Sequence, residues 1–160
     1  MPESSNVNRG PIFAAETVRM SWWGHLIFAV AGAWVVMNSI NSDSLWWMLL
    51  LLFLWASFTQ LSLQVTSDYF QVRLGLIRVR IPISRIISVQ SVPSSSFFKT
   101  GWGIRFGFDG AITYSVASSI STYVLVEYKK RSGKLKTLRV MSKHPDVILR
   151  AIQKAQAPTW

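Results

Sequence analysis

The sequence contains no cysteine, which removes a disulfide framework, a thiolate zinc site and a thiol nucleophile together. Histidine is nearly absent: His25 and His144 are too few for a multi-histidine metal cluster. Acids are also scarce, with seven Asp and Glu in 160 residues. Beyond Thr66 only Asp68, Asp109, Glu127 and Asp146 occur, scattered on separate elements, so no paired carboxylates are available for general acid–base work. No P-loop and no convincing Ser/His/Asp order is present. These shortages point away from an enzyme, a resident cofactor or metal, and a small-molecule substrate. One absence is local: between Ser44 and Val65 there is no charge, no proline and no glycine.

What fills that stretch is Leu45-Trp46-Trp47-Met48-Leu49-Leu50-Leu51-Leu52-Phe53-Leu54-Trp55-Ala56-Ser57-Phe58, apolar on every face. A helix here has no water-facing side, and the run approaches the ~20 residues needed to cross ~30 Å of hydrocarbon. Residues 44–65 therefore read as a membrane-spanning helix, and residues 22–40 as a shorter first one. Of the eight tryptophans, Trp22, Trp23, Trp34, Trp46, Trp47 and Trp55 fall in these two segments, as interfacial anchors do. Ala29, Gly32 and Ala33 form a small-residue face suited to close helix packing. The polar turn from Asn38 to Ser44 joins the two.

Residues 1–21 are polar and read as a mobile tail. Beyond Thr66 the chain turns basic, holding fifteen of the seventeen Lys and Arg. Positive-inside bias then places both termini in the cytoplasm and the protein in the inner membrane as a multi-pass chain. The hydrophobic period also changes to two. Phe70, Val72 and Leu74 alternate with Gln71 and Arg73, and Ile77, Val79 and Ile81 with Arg78 and Arg80, predicting a hairpin about Gly75. Residues 86–92 and 121–130 read as strands, Leu135 to Met141 as the return from an Arg131-Ser132-Gly133-Lys134 turn. Pro145 to Gln156 reads as a helix with Ile148, Leu149, Ile152 and Ala155 on one side. The pattern suggests a small curved barrel over residues 66–156, closed by the helix, with 157–160 as a tail.

The order of elements, with Ile81-Pro82-Ile83-Ser84-Arg85-Ile86, Gly101-Trp102-Gly103-Ile104-Arg105 and Tyr114-Ser115-Val116, resembles small bacterial membrane proteins carrying a pleckstrin-homology-like (PH-like) domain after a transmembrane hairpin. The resemblance covers residues 22–156. It implies a fold of membrane α-helical hairpin plus an α+β or all-β PH-like domain: a seven-strand curved antiparallel sheet or barrel capped by a C-terminal helix, with no catalytic residues. Two departures stand out. Ala117-Ser118-Ser119-Ile120 replaces expected glycines, and Ser142-Lys143-His144 replaces the usual Thr or Asp cap, leaving Ser142 to serve.

Two basic clusters are the candidate contact residues: Lys129, Lys130, Arg131, Lys134 and Lys136 at a hairpin tip, and Arg73, Arg78 and Arg80 on the first hairpin. Each such residue near an anionic leaflet contributes about 1 kcal/mol. Gly101, Trp102, Gly103 and Arg105 read as a fold motif, with Trp102 folding over the barrel. His25, near a helix boundary, is the one candidate ligand for a haem or pigment. These features predict a membrane-anchored interaction or scaffolding module on the cytoplasmic face, binding a partner protein, an anionic lipid surface or both. The alternative is an accessory subunit stabilising a larger integral-membrane complex. Membrane lipid and other membrane-protein subunits are the expected partners. Nucleic acid is not, although Phe97, Phe98 and Lys99 offer stacking and charge.

Overall fold

The computed structural model describes residues 11–38, 44–93, 102–107, 110–120 and 122–157. The described elements run β1 (Ile12–Arg19), α1 (Trp22–Asn38), α2 (Ser44–Phe58), β2 (Gln60–Thr66), β3 (Tyr69–Leu74), β4 (Ile77–Pro82), a 3-10 turn (Ile83–Arg85), β5 (Ile86–Pro93), β6 (Gly103–Phe106), β7 (Ile112–Ser115), β8 (Thr122–Lys129), β9 (Leu135–Met141) and α3 (Pro145–Gln156).

The alternation seen in the sequence becomes the inner face of a four-stranded antiparallel sheet ordered β1-β2-β3-β4. Successive residues of a strand point to opposite faces, so Leu61, Leu63 and Val65 turn inward with Phe70, Val72, Leu74 and Ile81. A second sheet, β5-β8-β9-β7-β6, contributes Val124, Val126, Leu138 and Val140 to the same core. Helix α3 packs against β1, β2, β5 and β8, and buries Ile148, Ala151 and Ile152. Lys154 Nζ lies 5.4 Å from the Phe13 ring centre, and Gln156 Nε2 donates to the Ile86 carbonyl at 2.9 Å.

The transmembrane hairpin is not supported. Among the described residues no helix is long and apolar enough to cross a membrane. The reason is a boundary. The sequence reading carried the second helix to Val65, but α2 ends at Phe58, and the last six residues of that span belong to β2. From Gln60 on, Leu61, Leu63 and Val65 alternate with Ser62 and Gln64, which is strand periodicity inside an uncharged run. Fifteen residues at ~1.5 Å each give α2 about 22 Å, and seventeen give α1 about 26 Å, against the ~30 Å of a hydrocarbon core. The multi-pass inner-membrane placement with cytoplasmic termini rested on those spans and falls with them.

The PH-like resemblance is corrected too. It implied one seven-strand antiparallel sheet following the helices. Instead, among the described residues, nine strands form two open sheets, β7 and β9 run parallel, and β1 precedes the helices. That first strand lies within the residues read as a mobile tail; it pairs with β2 from Ile12↔Thr66 to Arg19↔Gln60. Its Glu16 accepts hydrogen bonds from Ser142 Oγ, at 2.7 Å, and from the Lys143 amide. Ser142 is thereby committed to β1. The α3 N-cap is His144, without a side-chain bond, so Pro145 and Asp146 start the helix.

Candidate functional site

The helix pair interrupts β1 and β2 where those strands are still paired, so its root is fixed to the sheet. Met20 N donates to the Thr59 carbonyl and Ser21 N to the Ala117 carbonyl, both at 2.7 Å. A Cβ on the buried Gly24 would stand 3.0 Å from Ala117 Cβ. Gly75, in the β3–β4 turn at φ +54°, presses on the backbone of Ser57 at the end of α2. A Cβ on Gly103, at φ +84°, would sit 3.2 Å from the Phe58 ring. Both positive-φ glycines therefore serve close approach.

Trp102 reaches α1 rather than folding over a barrel. Its ring meets Trp23 edge-on at 5.7 Å and lies 6.4 Å from Phe28. Arg105 is half-buried on β6. Gly101 lies outside the described residues, as do Phe97, Phe98, Lys99 and the turn from Ser39 to Asp43.

Beyond this root, α1 and α2 expose apolar side chains on all sides, including Trp22, Trp34, Trp46 and Trp47, with Trp46 73% exposed. Of the small-residue face, Gly32 meets α2 beside Leu51, whereas Ala29 and Ala33 are exposed. His25 is engaged within the pair. Its Nδ1 accepts a hydrogen bond from Trp55 Nε1 at 3.0 Å, so its proton sits on Nε2.

Next to the root lies the outer face of the four-stranded sheet. Register places Arg73 opposite Arg78, Gln71 opposite Arg80, Ser62 beside Arg73 and Gln64 beside Gln71, with Arg19 and Gln60 paired at the helix end. None of these residues is acidic: Glu16 pairs with Leu63 on the opposite face. Arg78 Nε and Arg80 Nε both donate to Gln71 Oε1, at 2.7 and 2.9 Å. The two side chains cover Gln71, which is only 8% exposed despite facing outward. Arg80 also lies 4.9 Å over the Tyr69 ring, and Arg73 Nε donates to the Gly75 carbonyl at 3.0 Å. The exposed Leu76 and Ile77 sit at the turn, so an apolar tip borders both the arginines and the helix root.

The other basic cluster stands elsewhere. Lys129, Lys130, Arg131 and Lys134 are exposed and Lys136 half-buried at the β8–β9 turn. That turn extends from Tyr128, which pairs with Ile86. Ile86 follows the 3-10 turn, where Ile83 N bonds the Asp68 carbonyl in the β2–β3 turn, at the end of the sheet away from Gly75. The β8–β9 cluster thus stands toward the opposite end of β3 and β4 from Arg73 and Arg78, with Arg80 between them along the sheet.

An open cleft of about 520 Å³ near that far end is lined by Ser67, Asp68, Ile83, Ser84, Ala155 and Gln156 and holds a single carboxylate. Among the described residues no three His, Cys, Asp or Glu side chains group to hold a metal. Burial pushes the Tyr114 and Tyr128 phenols up, and for Tyr114 the neighbouring Tyr128 adds to the effect. Both belong to the second sheet, away from the arginine face.

The sequence reading singled out Arg73, Arg78 and Arg80 as candidates and did not single out Gln71, Tyr69 or Leu76, which the structure places beside them. The alternation put Gln71 on the same polar face as the arginines, but its pairing with Arg80 comes only from the register. No protein-family model matches the chain, and none of the curated proteins compared with it matches.

Proposed function

We propose that the protein is a non-catalytic interaction module that docks on an anionic lipid surface, with the arginine face taking the headgroups and the exposed helix pair taking the apolar layer. The observation that carries the reading is adjacency. An acid-free face bearing Arg19, Arg73, Arg78 and Arg80 borders the root of a helix pair that is apolar all round. At ~3.3 Å per strand residue, Arg73 and Arg78 stand within about 7 Å of the helix-bearing end of the sheet. The helices need only enter the apolar layer for this geometry to work; their length does not have to cross it.

The magnitudes suffice. Four arginines at about 1 kcal/mol each contribute ~4 kcal/mol, roughly a thousandfold in binding, and the effect is screened by salt. The test is flotation of the full chain with vesicles. Recovery with vesicles containing phosphatidylserine is expected to exceed that with phosphatidylcholine alone and to fall as salt is raised. Equal recovery with both compositions at every salt concentration refutes the electrostatic half. A second reading, a protein partner covering the helix pair, is favoured instead if the chain ignores both vesicles.

A further inference from the structure

The arginine face contains an arrangement that simple electrostatic attraction does not require. Arg73 and Arg78 are directly opposed across β3 and β4, and like charges so placed are destabilising. Arg78 and Arg80 are then drawn together, because their Nε atoms share one acceptor and so lie less than about 6 Å apart. That acceptor is the neutral carbonyl oxygen of a side chain more than nine-tenths buried. A glutamate there would cancel one of the two charges; a glutamine holds the guanidinium groups and leaves both uncompensated.

From this geometry we infer that Gln71, Arg78 and Arg80 form a preorganised fork for a phosphate-class oxyanion, either a lipid phosphomonoester headgroup or free phosphate. Each guanidinium spends its Nε–H on Gln71 and keeps four N–H donors for a ligand. Two forks side by side match the several acceptor oxygens of a phosphate, where charge-assisted bonds of ~2.7–2.9 Å form. The Tyr69 ring beneath Arg80 fixes one guanidinium plane, which lowers the ordering cost of binding. A bound anion also relieves the repulsion among Arg73, Arg78 and Arg80. The inference rests on the docking reading above, for which it names the headgroup chemistry.

The full chain in nonionic detergent is titrated at constant ionic strength with inorganic phosphate and, separately, with short-chain phosphatidic acid, following the Arg78 and Arg80 Nε–H resonances. Saturable shifts of both resonances are expected. Gln71→Glu supplies an internal carboxylate and is expected to weaken binding tenfold or more, ~1.4 kcal/mol, with a melting midpoint no lower than that of the parent. Gln153→Glu changes net charge equally on the exposed side of α3 and is expected to leave binding within about twofold. Arg80→Gln, on the edge strand, gives the same loss should Gln71→Glu fold poorly. Tenfold tighter binding of the lipid than of inorganic phosphate assigns the fork to a headgroup; equal binding assigns it to free phosphate. Absence of a saturable shift with either probe, or equal weakening by Gln71→Glu and Gln153→Glu, overturns the inference. Parent chain that floats with anionic vesicles yet shows no saturable shift sinks the fork alone. Saturation by phosphate without flotation sinks the docking reading alone.

Discussion

Replacing Gly75 with alanine isolates how tightly the β3–β4 turn is pressed against the helix root. Gly75 sits at φ +54°, and a Cβ would strike the carbonyl oxygen, Cα and carbonyl carbon of Ser57. Those atoms are backbone at the end of α2 and are held by the Met20–Thr59 bond, so they yield little. Two costs add. The left-handed backbone costs an alanine roughly 1–2 kcal/mol, and steric overpacking typically costs about 1–3 kcal/mol. Against them, loss of glycine's unfolded-state freedom returns ~0.4–1 kcal/mol. The expected net destabilisation is about 1–4.6 kcal/mol. Gly133 provides the internal reference. It has φ +81° with nothing within 4 Å of an added Cβ, so Gly133→Ala carries only the backbone cost. A net loss of about 0–1.6 kcal/mol is expected there, smaller than at Gly75 by the steric cost. Both variants are measured by denaturant unfolding of the full chain in the same detergent, at matched slope. If the two lose stability equally, the turn does not bear on Ser57, and the fixed placement of the arginine face beside the helix root is wrong.

Other perturbations test separate joints. Glu16→Ala strands the buried Ser142 hydroxyl and the Lys143 amide and is expected to cost about 1.5–3 kcal/mol in a melt, whereas Glu16→Gln retains most of the stability. Trp55→Phe removes the donor to His25 and should cost about 1 kcal/mol. The Tyr114 and Tyr128 phenols are raised above 10.0 by burial, so the folded chain holds these protons after the unfolded chain has begun to release them. Their stabilising contribution is intact below pH ~10 and is lost as pH rises through the folded values. The unfolding midpoint should drop across that alkaline window, and substituting both by phenylalanine should flatten the drop.

Strand periodicity was the most legible property of the chain. Leu135 to Met141 and Pro145 to Gln156 are the bounds of β9 and α3, and the hairpin about Gly75 and the strand near 121–130 appear where their alternation placed them. What misled was the absence of charge after Phe58. With no Lys, Asp or Pro to mark the change, Gln60–Thr66 passed for the end of a greasy helix, although Ser62 and Gln64 already alternate with leucines. β1 was hidden differently. Only Val18 of its eight residues is fully buried, so it carries almost no apolar alternation, and its pairing partner lies across the whole helix pair. The arginine face was readable as charge but not as geometry. Nothing in a single sequence says that Gln71 stands opposite Arg80 until the hairpin register is known.

The place where the helices join the sheet has a further consequence. Arg19 and Gln60 are neighbours across the ladder, so the chain leaves and re-enters through a single doorway. Everything from Met20 to Thr59 is an excursion hung on one β-hairpin, and a two-residue turn joining the doorposts preserves each rung on either side. Excision forfeits the lodging of Trp23 and Gly24 against the body, but no strand pairing. The protein is divisible at a rung of its own ladder, Arg19 with Gln60, rather than at a linker.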